Sequence, residues 1–275
     1  MNQRVRNLLR GIKSSPAGRI LNIPLRANYA SRVALGGALR IPAWLINSRE
    51  DTNFTYPLTD RSLDYLAHTL AVVTGQPARL ARDYIDEAIG DEDLARHVVQ
   101  LTESGPYRSF ADARCDFAKR LGWYATARLL RPEVIVETGV DKGLGSVILC
   151  AALLRNGTGR YYGTDINPDA GFFLKGRYAE VGEILFGDSI QSLTALRGTI
   201  NLFINDSDHS ADYELAEYRA ITPKLSPGAV VLGDNAHCTT KLSEWASETG
   251  RHFLFWREEP AGHWYPGGGI GFAFS

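Results

Sequence analysis

The second half of the chain alternates short apolar runs with stretches of helical periodicity. Five runs rich in β-branched and aromatic residues follow one another, and a stretch with apolar residues at helical spacing separates each from the next. Two more runs lie close together and can pair as an antiparallel hairpin. Strands that alternate with helices in this way predict a parallel sheet covered on both faces. The predicted strands are Glu133–Glu137, Tyr161–Asp165, Glu183–Asp188, Ile200–Asn205, Ala229–Gly233, His252–Glu259 and Gly269–Phe274.

Helices are predicted both between these strands and before them. Four precede the first strand: one follows the N-cap Thr59 and is closed by Gly75, a second is closed by Gly90, a third follows it, and a longer one lies near Phe110–Leu130. We interpret residues 51–130 as a helical region that caps the active site or forms a dimer contact, and we expect a homo-oligomer. Between the strands, helices are predicted near Gly145–Leu154, Asp169–Ala179, Ser189–Leu196, Ala211–Leu225 and Thr239–Thr249.

Composition narrows the class of protein. A chain of 275 residues that is 44% hydrophobic can bury a full core, and one large domain with an appendage is expected. A net charge of −1 is not that of a nucleic-acid binder. Three separated cysteines without a CxxC pair fit a reducing compartment. No apolar run approaches the roughly 20 residues that span a bilayer, so we expect a cytoplasmic protein without an integral membrane segment.

The charge is unevenly distributed along the chain. Residues 1–49 contain nine Arg or Lys and no Asp or Glu, so the rest of the chain is acidic. We interpret residues 1–50 as a basic N-terminal arm. Two roles stay open for it: docking on the acidic body of its own or a partner subunit, or contact with a membrane surface.

The first predicted strand leads into a glycine-rich turn. Gly139 and Gly143 let the backbone approach a ligand closely, and the helix that follows points its free N–H groups at the ligand. The pyrophosphate-binding pattern G-x-G-x-x-G is not present, and an acid stands two residues before Gly139. A carboxylate near the turn suits the sulfonium and amino group of S-adenosylmethionine (SAM). The cofactor-binding residues predicted here are Glu137, Thr138, Gly139, Gly143 and Ser146.

The next two turns supply further candidates for cofactor binding. Asp165 ends the second predicted strand, 22 residues beyond Gly143, where it can accept both ribose hydroxyls. Asp188 and Ser189 follow the third strand, at the position that holds the adenine edge. Ligands of such sheets bind at the carboxyl ends of the strands, so these three turns together favour SAM over a nicotinamide cofactor.

Oxygen-bearing side chains follow the fourth and fifth predicted strands. Asp206 and Asp234 lie 28 residues apart, and Asn235 comes directly after Asp234. Oxygen ligands at neighbouring strand ends suit a hard cation, so these three residues are predicted to bind Mg²⁺. The same residues could instead have a structural role or bind an amine.

These motifs resemble those of class I SAM-dependent methyltransferases over residues 131–275. The resemblance implies a Rossmann-like α/β fold with a seven-stranded, mostly parallel sheet of order 3-2-1-4-5-7-6, helices on both faces and an N-terminal helical region. An Asp after the fourth strand and an Asp-Asn pair after the fifth are similar to the metal-dependent O-methyltransferases of the catechol and caffeoyl-CoA type. Those enzymes have a lysine as general base three positions after the first Asp. His209 stands at that position here, as in the macrocin- and mycinamicin-type sugar O-methyltransferases.

The resemblance implies metal-assisted methyl transfer to a hydroxyl of a small molecule, such as a sugar or a natural-product or glycan moiety. Mg²⁺ would lower the pKa of that hydroxyl, and His209, with Asp206 beside it, would take the proton. His237 is the alternative base and a candidate substrate residue. An aromatic cluster near the last strands either folds over the site or packs on a neighbouring subunit. Its members are His263, Trp264 and Tyr265.

Two other functions stay open at this point. A metal-free N-methyltransferase would be insensitive to a chelator. A non-catalytic binding protein with this fold would bind SAM without consuming it in the presence of any acceptor. The acceptor itself is not defined by the sequence.

Overall fold

The computed structural model describes residues 20, 22–51, 55–112 and 115–275. The chain divides into two compact units. One contains Met1–Ser48 and Gly262–Pro266, and the other contains Arg49–Ala261 and Gly267–Ser275.

The larger unit is built on a seven-stranded sheet. Its strand order is β3-β2-β1-β4-β5-β7-β6, as predicted, with β7 antiparallel to both of its neighbours and β1 to β5 parallel. This is the Rossmann-like class I methyltransferase fold expected from the sequence. The strands are β1 Val134–Thr138, β2 Arg160–Asp165, β3 Gly182–Phe186, β4 Ile200–Asn205, β5 Leu225–Asp234, β6 His252–Arg257 and β7 Gly269–Phe274.

The register aligns the carboxyl ends of the central strands. Thr138 at the end of β1 lies opposite Thr164 on β2 and opposite Asn205 on β4, and Asn205 lies opposite Gly233 on β5. The turns that leave these strands therefore open at one edge of the sheet, where a ligand of such a fold binds.

Helices cover both faces of the sheet, because the central strands are apolar on both sides. Val136, Phe203 and Val231 on neighbouring strands are buried against Tyr218 and Trp245 from two covering helices, whose rings stack with centroids 5.5 Å apart. Four helices precede β1: α3 Asp60–Thr74, α4 Ala78–Ile89, α5 Glu92–Ser104 and α6 Arg120–Leu130. Four more lie between the strands: α7 Leu144–Asn156, α8 Ser189–Ala195, α9 Ala211–Ile221 and α10 Lys241–Glu248.

The helical region before β1 has the capping residues that the sequence indicates. Thr59 accepts a hydrogen bond from the backbone N–H of Ser62 at 3.2 Å, and Gly75 ends α3 in the left-handed conformation. Asp91 caps α5 and also pairs with Arg155 of α7, with 2.9 Å between Nη2 and Oδ2. This ion pair joins the helical region to a helix that covers the sheet.

Two predicted helices are wrong in part. The helix predicted near Phe110–Leu130 begins only at Arg120, because Phe117 forms a bridge with Tyr56 and Ala118 has a left-handed φ of 49°. The helix predicted near Asp169–Ala179 is replaced by turns and a short 3₁₀ helix.

Glycines account for the second departure. Gly171 and Gly176 have φ values of 81° and 58°, which an α-helix cannot contain. A short 3₁₀ helix at Gly176–Glu180 is the regular structure in this stretch. A helical pattern of apolar residues was thus outweighed by backbone geometry.

The smaller unit contains α1 Ile23–Leu35 and α2 Ile41–Asn47, joined by a short 3₁₀ helix. Within this unit, Arg40 donates to the backbone carbonyl of His263 at 3.0 Å. Five of the nine basic residues predicted to form the arm lie in residues 1–19, outside the described residues, so its role stays a prediction. In the described part of the chain, every helix is too short or too polar to cross a membrane.

Candidate active site

The turn after β1 brings two chain segments into close contact. Gly139 has a φ of 80°, and its N–H donates to the carbonyl of Thr164 at 2.9 Å. A Cβ atom at this position would collide with the backbone carbonyl of Asp206. Only glycine fits here, because the position combines a left-handed conformation with backbone contact.

A cavity of about 450 Å³ opens at the carboxyl edge beside this turn. Of the predicted cofactor residues it brings together Gly139, Asp165, Asp188 and Ser189, and it also includes Asp206. Its volume suits a small organic ligand. The remaining lining residues are Asp141, Thr164, Ile166, Asn167, Gly187, Ser207, Asp208 and Tyr213.

Asp165 is fixed at the mouth of this cavity by two backbone donors. Its Oδ2 accepts from the N–H of Asp141, and its Oδ1 accepts from the N–H of Asn167, both at 2.8 Å. The carboxylate therefore has a set orientation before any ligand arrives. Each oxygen retains a second lone pair, which could accept a hydroxyl hydrogen.

Asp188 and Ser189 belong to a hydrogen-bonded group on the opposite wall. Asp188 caps α8 by accepting from the N–H of Gln191 at 2.9 Å, and its Oδ2 accepts from the hydroxyl of Tyr213 at 3.1 Å. Ser189 lies 2.9 Å from the same hydroxyl and donates to the buried Glu217. Sequence reasoning missed Tyr213 and Glu217, because both lie within helix α9 and show no motif.

Glu137 lies behind the cavity rather than along it. Its carboxyl group is buried and accepts hydrogen bonds from Tyr161 and Ser146. Burial raises the pKa of Glu137 to about 8, opposed by the bond from Tyr161 and the charge of Arg120. At neutral pH it is mostly a neutral acid, which does not suit the ionic role predicted for it.

Three more predicted cofactor residues are also outside the lining. Ser146 is buried beside Glu137, and the hydroxyl of Thr138 donates to Glu217 at 3.2 Å. Gly143, with a φ of 88°, ends the turn and starts α7 in close contact with Gly171. These residues shape the turn, whereas Gly139 is the one of this group that borders the cavity.

The turns after β4 and β5 bring an acid pair and a histidine together. Asp206, His209 and Asp234 each offer a ligand atom within 4.8 Å of the others. His209 Nε2 lies 3.9 Å from Asp206 Oδ1. Asp234 is buried and His209 is exposed. Since Asp206 also lines the cavity, the histidine stands next to the space in which a cofactor would bind.

A lysine that the sequence did not indicate completes this group. The Nζ atom of Lys119 lies 2.7 Å from Asp234 Oδ2 and donates to Asn235 Oδ1 at 2.7 Å. Its side chain is 8% exposed. Asn235, predicted as a metal ligand, therefore has its side-chain oxygen engaged by an ammonium group.

The pKa values of Asp206 and Asp234 are shifted in opposite directions. Burial raises the pKa of Asp206 well above its usual range, and the charge of Asp234 raises it further. Burial acts the same way on Asp234, but the cations Lys119 and Arg120 outweigh it and lower the pKa of Asp234. Asp234 Oδ1 is buried and accepts no hydrogen bond from the described residues, whereas Oδ2 lies against Lys119.

Lys119 is itself held in its charged form. Burial disfavours the ammonium, but the carboxylates of Asp234 and Asp206 outweigh that effect and raise its pKa. Its position depends on the segment before α6, where Phe117 pairs with Tyr56 and Ala118 adopts a left-handed φ. The sequence signal for this lysine was the pair Lys119-Arg120 within an apolar stretch. It was missed because the stretch was interpreted as a core helix from its apolar periodicity.

The other predicted substrate residues are divided between the two units. His237 is exposed, with its ring centroid 6.1 Å from that of Phe255, and burial together with the charge of Lys119 lowers its pKa. The aromatic cluster belongs to the smaller unit, where Trp44 packs against its tryptophan with centroids 5.3 Å apart. Its substrate role stays a prediction. Its members are His263, Trp264 and Tyr265.

Residues 136–236 match the family model described as a methyltransferase domain, and this span runs from β1 through the turns that form the cavity and the acid pair. This segment therefore matches a methyltransferase domain, and it lies in a sheet with the strand order of the class I methyltransferase fold. Among curated proteins, none matches the chain significantly.

Solved structures are similar to this chain at low sequence identity, and the first of those named here shares its fold. Cofactor-bound Rv0187 from MTB is 15% identical with a TM-score of 0.54, and the match covers 68% of this chain and 91% of that one. The O-methyltransferase TomG from Streptomyces achromogenes, in complex with SAM, is 16% identical with a TM-score of 0.49, covering 67% and 89%. The O-methyltransferase from Bacillus cereus is 13% identical with a TM-score of 0.48, covering 76% and 100%.

Proposed function

We propose that this methyltransferase transfers the methyl group of SAM to a hydroxyl oxygen of a small molecule. The observation that carries the proposal is the placement of His209 beside Asp206, with 3.9 Å between Nε2 and Oδ1, at the edge of the cavity. A base next to the methyl donor is what oxygen methylation requires, since an aliphatic hydroxyl is a poor nucleophile near neutral pH.

The residues of the cavity fit SAM. Asp165 is oriented by two backbone donors and can accept ribose hydroxyls, while Asp188 and Ser189 stand where the adenine edge would lie. Gly139 borders the cavity, and its lack of a side chain lets the turn after β1 lie against the backbone of Asp206, beside the place proposed for the methionine end. When bound, SAM supplies the methyl group, which leaves its sulfur as the bond to the acceptor oxygen forms.

His209 would take the proton that the acceptor oxygen loses. Its ring is exposed, so a substrate can reach it, and Asp206 lies beside it, with 3.9 Å between Nε2 and Oδ1. An imidazole is suited to this step because its ring nitrogen can accept a proton from a hydroxyl within hydrogen-bond reach. The acceptor that we propose is a sugar hydroxyl or another hydroxyl of a natural product or glycan.

Metal assistance is the part of the sequence-based prediction that this geometry fits least. Asp206, His209 and Asp234 are close enough to share one ion, yet Asn235 and one oxygen of Asp234 already accept from Lys119. Of the predicted trio, Asp234 Oδ2 and Asn235 Oδ1 are engaged by Lys119, whereas Asp234 Oδ1 is buried without a hydrogen-bond partner among the described residues. We therefore derive no catalytic step through a metal.

The function is tested by incubating the purified protein with SAM and a panel of sugars and hydroxylated natural products. We expect release of S-adenosylhomocysteine and a mass increase on an acceptor oxygen, both lost in His209→Ala. Methylation of amines alone would contradict the proposal, and so would SAM binding without turnover on any acceptor.

A further inference from the structure

We infer that Lys119 occupies the place of the divalent cation in this methyltransferase, so that the acid pair acts without a metal. The inference rests on the proposed function for its catalytic role, but the chemistry of the site carries it independently. Lys119 is a positioning residue here, since it acts through Asp234 and Asn235.

The ammonium group of Lys119 uses the oxygens that the sequence assigns to a metal. Its Nζ lies 2.7 Å from Asp234 Oδ2 and 2.7 Å from Asn235 Oδ1. These are direct, charge-assisted contacts, and the side chains of Lys119 and Asp234 are almost completely removed from solvent. An ion bound to the same two oxygens would have to displace the lysine.

Charge balance favours the lysine over an added ion. Asp206 and Asp234 carry at most two negative charges, while Lys119 and Arg120 place two positive charges near them. A divalent cation would leave this buried group with an excess positive charge, which is costly in a region of low dielectric. The acid pair is already neutralised by the chain itself.

The backbone before α6 holds Lys119 in a defined position. Lys119 immediately precedes α6, and the segment leading to it is held by the bridge between Phe117 and Tyr56. The left-handed φ of Ala118 turns the chain just before it. The backbone therefore presents a cation to the ends of β4 and β5 from a helical region distant in sequence. It thereby fixes Asn235 and Asp234, and through Asp234 the carboxyl group beside His209.

The inference predicts how the protein responds to metals. We expect the wild-type protein to bind no Mn²⁺ detectable by electron paramagnetic resonance and to lose no turnover in EDTA. Lys119→Met removes the ammonium group while keeping an apolar chain of similar length. We expect it to bind one Mn²⁺ per chain, to lose turnover by about 10- to 100-fold, and to recover part of it with Mg²⁺.

Matched variants locate the effect. Lys241 pairs with Glu244 at the same 2.7 Å on the exposed surface, so Lys241→Met should show neither metal binding nor loss of turnover. Adding Asp234→Asn to Lys119→Met should abolish the new Mn²⁺ signal. Lys119→Arg, which keeps the charge, should remain free of Mn²⁺.

Wild-type protein that binds one Mn²⁺ per chain, with binding lost in Asp234→Asn, would overturn the inference. So would a folded Lys119→Met variant with unchanged turnover and no metal binding. If Lys119→Met does not fold, the wild-type measurements still decide. The Mn²⁺ measurements need no acceptor, so they remain decisive even if the proposed O-methylation fails.

Discussion

The two halves of the carboxyl edge are built in different ways. In the cofactor half, after β1 to β3, the decisive features are local: Gly139 adopts a left-handed conformation and Asp165 accepts from the N–H groups of its own and the preceding turn. In the acceptor half, after β4 and β5, the acid pair depends on Lys119, which is 116 positions away from Asn235. The cofactor half can therefore be predicted from residues close together in the sequence, whereas the acceptor half depends on a contact between distant residues.

The difference teaches where the reaction is tuned. The proposed cofactor site is formed by short turns whose residues contact one another within a turn or from one turn to the next. The acceptor half has to set the charge of Asp206, Asp234 and His209 for a particular substrate. Lys119, which comes from the helical region, can be substituted without changing the turns after β1 to β3.

The largest effect that would test this contrast is expected at His209. His209→Ala should lower turnover by about 10²–10⁴-fold, because the acceptor oxygen loses its general base, while SAM affinity stays nearly unchanged. Release of S-adenosylhomocysteine and calorimetry with SAM measure the two quantities. His209→Lys should retain more activity than the alanine variant. Full activity in His209→Ala together with loss in His237→Ala would move the base to His237.

Glu137 provides the next largest effect, which tests whether this residue stabilises the core or binds the cofactor. Its pKa is raised from an ordinary 4.5 to about 8, so between these pH values the folded chain binds more protons here than the unfolded chain. The free energy of unfolding should therefore fall as pH rises through this window, by on the order of 3 kcal/mol between pH 5 and 8.

Glu137→Gln should remove this part of the pH dependence, because an amide does not titrate. Urea unfolding at pH 5 and pH 8, in wild type and variant, measures the difference in slope. SAM affinity should change little, since Glu137 does not line the cavity. A large loss of SAM affinity in the variant would restore Glu137 to the role that the sequence suggested.

Asp165 tests the cofactor half directly. Asp165→Ala should weaken SAM binding by roughly 10- to 150-fold, the equivalent of about 1.5–3 kcal/mol for one hydrogen bond to a charged group. Asp169→Ala, in the same loop but outside the cavity lining, is the matched control. Calorimetry that shows equal SAM affinity for both variants would remove Asp165 from the ribose site.

The smallest effect is expected at Tyr213. Its hydroxyl donates to Asp188 at 3.1 Å and lies 2.9 Å from Ser189, so Tyr213→Phe should cost about 1 kcal/mol of stability. Urea unfolding measures the loss, and the exposed Tyr65→Phe should show none. A variant as stable as wild type would show that the hydroxyl exchanges its partners for water at no cost.

Much of the fold followed from local signals. The alternation of strands and helices, the N-cap Thr59 and the end of the helix at Gly75 were predicted from patterns that a few neighbouring residues create, whereas the strand order came from the family resemblance. The helix expected at Asp169–Ala179 failed because Gly171 and Gly176 adopt conformations that apolar periodicity does not reveal.

The site was predictable to the same extent. Gly139, Asp165, Asp188 and Asp206 meet at one cavity as their order along the chain implied. Lys119 could not be found in this way, because its partners are created by tertiary contact and its own segment has the pattern of a core helix. Burial of Glu137 is likewise a property of packing that the residue type conceals.

The sheet order has a consequence for how the protein assembles. Within the described chain, β6 is hydrogen-bonded to β7 alone, while β7 lies between β6 and β5. The edge strand therefore cannot join the sheet before its successor does, and the two should dock on β5 as one hairpin. Amide hydrogen exchange should accordingly show β6 opening whenever β7 opens, whereas β3 at the far edge can fray while the rest of the sheet stays closed.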